Sequence, residues 1–237
     1  MEGVRIYLFA LLACACLILG CFPRQAGPRL AHFATTAPAV GEPAPAFSLP
    51  SLDGGELALE ELLDDRPVVI QLGSHSCPVY RFRRHWLRGL LEDYGERVRF
   101  LVIYSIEAHP EGSKSPHAEG EWNPWINKIA GIRIAQPETF EERFERARQS
   151  RIDLGLTDFE SSLSFVVDRL DDAIWQTYGA ASAPAFVLDR DGTVVSRQVW
   201  VDPKEIRRVL DRLLAADPEP AAARERAAAQ SDERAPQ

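Results

Sequence analysis

The sequence predicts an α/β domain with a central mixed, mostly parallel sheet flanked by helices. Two apolar runs, Pro67 to Leu72 and Val98 to Tyr104, have the length of strands buried on both faces. Segments with helical spacing alternate with such runs, and alternating βα units imply a parallel sheet covered by helices. Late in the chain the turn signal Asp191-Gly192 joins Ala185–Leu188 to Val194–Val199, which adds an antiparallel hairpin at one side.

The elements follow in order. Pro67 to Leu72 is the first core strand. Tyr80 to Tyr94 places Phe82, Trp86, Leu87, Leu90 and Leu91 at helical spacing. Val98 to Tyr104 is the second strand. Phe140 to Ile152 is charged and helical, Leu163 to Val167 is the third strand, and Asp171 to Tyr178 is a short helix. The hairpin comes next, and Lys204 to Leu214 closes the domain as an amphipathic helix. Strand, helix, strand, helix, strand, helix, hairpin, helix is a thioredoxin-like layout.

The chain has 237 residues, 46% hydrophobic and 26% charged, enough for one ordinary domain with flanking segments. Its net charge of −8 and lack of a basic block argue against a nucleic-acid binder. Residues 1–22 contain an apolar run, Ile6 to Phe22, between Arg5 and Arg24. It reads as a secretory signal, a membrane anchor, or a lipoprotein signal with Cys21 or Cys14 as the acylated residue. Each of these places the domain outside the cytoplasm, tethered to a membrane or released from it. Residues 23–40 are expected to form a linker, 41–215 the folded domain, and 216–237 a disordered tail.

Cys14, Cys16 and Cys21 lie in the apolar run, so Cys77 is the one cysteine expected inside the domain. No disulfide framework can form there. Cys77 follows Gly73-Ser74-His75-Ser76 at the end of a strand and precedes Pro78, which suits the first position of a helix. A helix start favours thiolate over thiol, which makes Cys77 the candidate nucleophile; the alternative is a buried, inert thiol. Glu107 and His109 lie just past the second strand, at the same end of the sheet. A carboxylate that orients an imidazole would make a proton relay there. Pro184, in Ser182-Ala183-Pro184, is a candidate cis peptide facing the cysteine loop, with a trans proline the equal alternative. Ser74, His75 and Pro78 would support the site. Trp122, in the long loop from Glu111 to Pro124, would stack on an aromatic ligand or pin that loop to the domain. No ligand spacing for a metal is present, and no bound cofactor is expected.

Gly41-Glu-Pro-Ala-Pro-Ala-Phe-Ser-Leu with Leu52-Asp53-Gly54 resembles the opening of redoxin domains. The stretch Gln71-Leu-Gly-Ser through Cys77-Pro78, then Phe100-Leu-Val-Ile-Tyr and Glu107-Ala-His109-Pro110, is similar to the iodothyronine deiodinases. Val167-Asp-Arg-Leu-Asp with Tyr178-Gly179 is similar to a later segment of the same family. Cysteine stands where that family usually has selenocysteine. Gln136-Pro137 falls near its second histidine, and Ala183-Pro-Ala-Phe186 is closer to thioredoxins and redoxins. The resemblance implies reductive removal of halogen from an aromatic ring, with attack by Cys77 and proton handling by Glu107 and His109. It further implies an N-terminal membrane anchor and an external thiol or thioredoxin as reductant; related reductases also form homodimers. Two other functions stay open: a one-cysteine peroxidase, because Ser74-x-x-Cys77 resembles the peroxiredoxin motif, and a non-catalytic binding module of the same fold.

Overall fold

The computed structural model describes residues 26–216 apart from Asp64 and Glu160, with side chains from residue 31 onward. The apolar run Ile6 to Phe22 and the tail after residue 216 lie outside the described residues. Among those described, no helix is long and apolar enough to cross a membrane.

The chain forms α1 (Ala26–Thr36), a hairpin of β1 (Ser48–Pro50) and β2 (Glu56–Ala58), then β3 (Val68–Gly73). Two short helical pieces follow, α2 (Pro78–Phe82) and α3 (Arg84–Tyr94), before β4 (Arg99–Tyr104). A long excursion carries α4 (Trp125–Ile129) and leads into α5 (Phe140–Asp153), β5 (Leu163–Val167) and α6 (Ala173–Thr177). The end is β6 (Ala185–Leu188), β7 (Val194–Gln198) and α7 (Pro203–Ala216). The main sheet runs β5-β4-β3-β6-β7, with β3, β4 and β5 parallel and β6 and β7 antiparallel. That is the mixed thioredoxin-like sheet the sequence implied.

Strand alternation divides the core between two layers. Val69, Phe100, Val102 and Phe165 face one way, against Leu87, Leu90 and Leu91 of α3 and Ile206, Val209 and Leu210 of α7. Val68, Ile70, Leu72, Leu101 and Ile103 face the other way, against Phe33, Phe47, Leu49 and Tyr178. Every residue of β3 is buried, as a central strand covered on both faces requires. The thread of chain that leaves β3 is therefore held at its root by the most enclosed part of the sheet.

Two expectations are corrected. The stretch read as a linker contains α1, which docks on the second layer. Phe33 is buried, with its ring centroid 6.0 Å from that of Phe186. Arg197 donates to the carbonyls of Ala34 (3.0 Å) and Ala37 (2.8 Å). Gly179, at φ +92°, lets this happen, because a Cβ there would lie 2.6 Å from the Phe33 ring. The alanine-rich composition suggested a tether, but one phenylalanine on the right face supplies enough burial to order the helix. The helix expected over Tyr80–Tyr94 is also interrupted, with a turn at Arg83 separating α2 from α3.

Gly73 ends β3 under the ring of Tyr80. A Cβ there would lie 2.3 Å from the ring. Gly73→Ala is expected to destabilise the fold by about 3 kcal/mol and shift the cysteine loop, because the ring cannot retreat into a filled core. Urea unfolding of the variant checks this.

Candidate active site

Cys77 follows the carboxyl end of β3 and is the N-cap residue of α2, with Pro78 in the first turn, as the sequence indicated. The loop before it runs beside the segment after β4, and hydrogen bonds stitch the two together. The Ser76 N–H donates to Glu107 Oε2 (2.9 Å), the Ala108 N–H to Ser74 Oγ (3.0 Å), and the His109 N–H to Ser76 Oγ (3.0 Å). The Tyr104 hydroxyl donates to Glu107 Oε1 and accepts from the His75 N–H at 3.1 Å. Parallel pairing of Gly73 with Tyr104 puts both strand ends level, which is why these segments meet.

Glu107 is fully buried, and its carboxylate is held by the Ser76 amide and the Tyr104 phenol. The expected pairing of Glu107 with the His109 ring is therefore corrected. The carboxylate positions the cysteine loop, while His109 Nδ1 lies 3.2 Å from the carbonyl of Trp122. A carbonyl only accepts, so Nδ1 carries the proton and the lone pair of the neutral ring is on Nε2. The Trp122 ring meets His109 edge-on at 4.3 Å, which places this tryptophan against the site. His117 bridges onward, 6.4 Å from His109 and 5.9 Å from Trp175 of α6.

Cys77 is buried, 1% exposed. Burial pushes its thiol above the ordinary value, although the N–H groups of Tyr80 and Val79, the Ser182 hydroxyl and the Arg81 guanidinium all favour the thiolate. The expectation that the helix start alone would lower the thiol is overturned for this closed arrangement, where desolvation outweighs the donors. Ser182 brings the Ser182-Ala183-Pro184 segment to the cysteine loop, as expected. No cis peptide occurs among the described residues, so Pro184 takes the trans alternative; its carbonyl accepts from the Leu72 N–H at 3.0 Å.

Several residues escaped the sequence reading. Asn127 of α4 is fully buried. It donates to the Ser76 carbonyl (2.8 Å) and accepts from Arg81 Nη2 (2.6 Å), and Arg81 Nη1 donates to the His75 carbonyl. Gln136 Oε1 accepts from the Glu107 N–H at 2.8 Å. Only Gln136 left a trace in the sequence, by its place near the family's second histidine.

His75 supports the loop from the other side. Its Nδ1 lies 3.1 Å from Ser150 Oγ and its Nε2 lies 3.6 Å from Asp153 of α5. Burial, then the nearby Arg81 charge, lowers its pKa to about 4 despite Asp153. The unfolded chain therefore binds a proton that the folded one refuses. Stability is expected to fall by ~2 kcal/mol as pH drops from about 6.5 toward 4. Urea unfolding across that range checks the slope, which His75→Gln should flatten.

The sheet order and a cysteine opening a helix beyond the central strand define a thioredoxin-like α/β protein. An uncharacterised conserved protein from Geobacillus kaustophilus shares the fold at TM-score 0.52 and 22% identity, over 77% of this chain and 85% of that one. A Sinorhizobium meliloti protein, SMc02350, does so at TM-score 0.52 and 19% identity, over 75% and 85%. Residues 30–214 match the iodothyronine deiodinase family, and the chain belongs to that oxidoreductase family. It is 25% identical over 154 residues to thyroxine 5-deiodinase from Gallus gallus, covering 64% of this chain and 53% of the relative. For the Sus scrofa enzyme the values are 27% over 157 residues, covering 65% and 46%. The chain thus spans about half the length of these curated relatives.

Proposed function

We propose that the protein is a thiol-dependent reductase that removes halogen from an aromatic ring through Cys77. The observation that carries this reading is the stitching of the cysteine loop to the Glu107-Ala108-His109 segment, the most specific part of the family likeness. In this reading His109, carried on that segment, takes the thiol proton of Cys77. The sulfur lone pair attacks the halogen, the carbon–halogen pair stays on the ring carbon, and the proton from His109 completes the new C–H bond. The sulfur is left as a sulfenyl halide. An external thiol displaces halide to give a mixed disulfide, and a second thiol releases Cys77 as the thiol. Carbon is reduced by two electrons and the two thiols are oxidised to a disulfide.

The sulfur must become reachable for this, and the segment latched by Asn127 is the part that would lift. Opening also rehydrates the thiol, which removes the cause of its raised pKa. The apolar run Ile6 to Phe22 supports a membrane-tethered, extracytoplasmic placement.

The test is iodide release from an iodinated phenol by the full-length protein with dithiothreitol. Release that depends on both the protein and the thiol is expected. Consumption of hydrogen peroxide without iodide release would overturn the reading in favour of a peroxidase.

A further inference from the structure

Arg81 sits one turn into α2 from Cys77, where its N–H donates to the Cys77 carbonyl at 3.2 Å. Its half-buried side chain folds back over the residues that precede the cysteine. Nη1 donates to the His75 carbonyl and Nη2 to Asn127 Oδ1 at 2.6 Å, while Asn127 Nδ2 donates to the Ser76 carbonyl at 2.8 Å. The guanidinium is therefore fixed beside His75 and Ser76, immediately before the residue that bears the sulfur.

Both partners of this fork are neutral. Among the described residues no carboxylate forms an ion pair with Arg81. A carboxylate at position 127 would accept from the same fork more strongly, and would cancel its charge in doing so. A carbonyl and an amide hold the fork in place and leave the charge to act on its surroundings. The ionisable groups within its reach are Cys77, Glu107 and Tyr104. Burial pushes the Cys77 thiol up, and the Arg81 charge is among the groups that oppose this. Burial likewise pushes the guanidinium down, and there Cys77 is the first opposing group. Thiolate and guanidinium thus stabilise each other where neither is well solvated.

We propose that Arg81 is a further functional residue of this site, the standing positive charge that stabilises negative charge as it develops at the Cys77 sulfur. The inference rests on the reading of Cys77 as the residue that turns over. Negative charge appears there at two moments of that reaction. The first is the loss of the thiol proton. The second is the attack of the external thiol: the sulfur–sulfur bond forms, the sulfur–halogen bond breaks, the halide leaves with the electron pair, and the attacking thiol's proton passes to solvent. A cation already held by neutral dipoles needs no reorganisation at either moment. Asn127 is the positioning residue, since it aims the fork and, through the Ser76 carbonyl, the loop.

The experiment compares alkylation of Cys77 by iodoacetate, an anion, and by iodoacetamide, its neutral counterpart. It uses the full-length chain with Cys14→Ser, Cys16→Ser and Cys21→Ser, at pH 8, followed by intact mass. Both reagents meet the same thiolate through the same opening, so thiolate fraction and loop mobility cancel in the ratio of their rates. What remains is the potential at the sulfur. Arg81→Met is expected to lower the iodoacetate-to-iodoacetamide ratio at least ~5-fold, and Arg81→Lys to keep it within about twofold of the parent. Asn127→Asp, which sets an anion against the same fork, is expected to lower it as well. No aromatic substrate is involved, so a failure here is distinct from a failure to release iodide from a phenol. A ratio unchanged in Arg81→Met, or lowered equally by Arg81→Lys, would overturn the proposal and leave Arg81 a structural tie. A Cys77 that neither reagent alkylates in the folded protein would overturn it too.

Discussion

Cys77→Ser is expected to lower turnover of any substrate at least ~10³-fold while leaving the fold intact. The serine hydroxyl stays protonated at accessible pH and is a poor partner for a soft halogen or a peroxide oxygen. Its oxygen inherits the donors that now surround the sulfur, the Val79 and Tyr80 N–H groups and the Ser182 hydroxyl, so it is not stranded in the core. Far-ultraviolet circular dichroism and the urea midpoint should match the parent. Activity that survived the change would remove Cys77 from the chemistry. The parent should also show a pH signature. Burial holds the thiol above its ordinary value in the closed state, so if the closed state governs reactivity the rate goes on climbing with pH beyond the range in which an ordinary thiol ionises. A plateau at lower pH would show that the opened, rehydrated thiol sets the rate.

Glu107→Gln is expected to reduce turnover by about 10²-fold and stability by about 2 kcal/mol. The carboxylate accepts from two donors, the Ser76 N–H and the Tyr104 hydroxyl. An amide of the same shape has one accepting oxygen, so its NH₂ group is turned against one of those donors in a fully buried site. The residue next to Cys77 then loses its anchor. Because Glu107 positions the loop, its loss should lower kcat much more than it raises KM. Tyr104→Phe removes one donor, leaves the acid in place, and should cost less on both counts. Steady-state kinetics beside urea unfolding of the same variants separates positioning from loss of fold.

The sheet was legible because its strands are long apolar runs, and Leu163–Val167 and Ala185–Leu188 coincide with their expected bounds. The cysteine loop was legible because Gly73 and Pro78 mark a strand-to-helix turn. What hid was whatever depended on tertiary contact. α1 looks like a tether until Phe33 finds Gly179. The partner of Glu107 could not be read, since Glu107 and His109 are neighbours in sequence and Tyr104 and Ser76 are neighbours in space. Asn127 sits 51 residues from the carbonyl it holds, in a segment without a strong period. The direction of the thiol's shift was missed because donors at a helix start are visible in sequence, while the burial that outweighs them is not.

The excursion between β4 and α5 has one further consequence. It is closed at its base, where the Glu111 N–H donates to the Ile134 carbonyl at 2.7 Å and Ser115 Oγ donates to the Ala108 carbonyl at 2.7 Å. Nothing beyond that clasp contributes a rung to the main sheet. Lengthening the span inside it away from Trp122 and Asn127 costs little chain entropy and disturbs no strand. Selection can therefore retailor what the protein admits by insertion and drift within this one span, provided Trp122 and Asn127 keep their places against His109 and the Ser76 carbonyl.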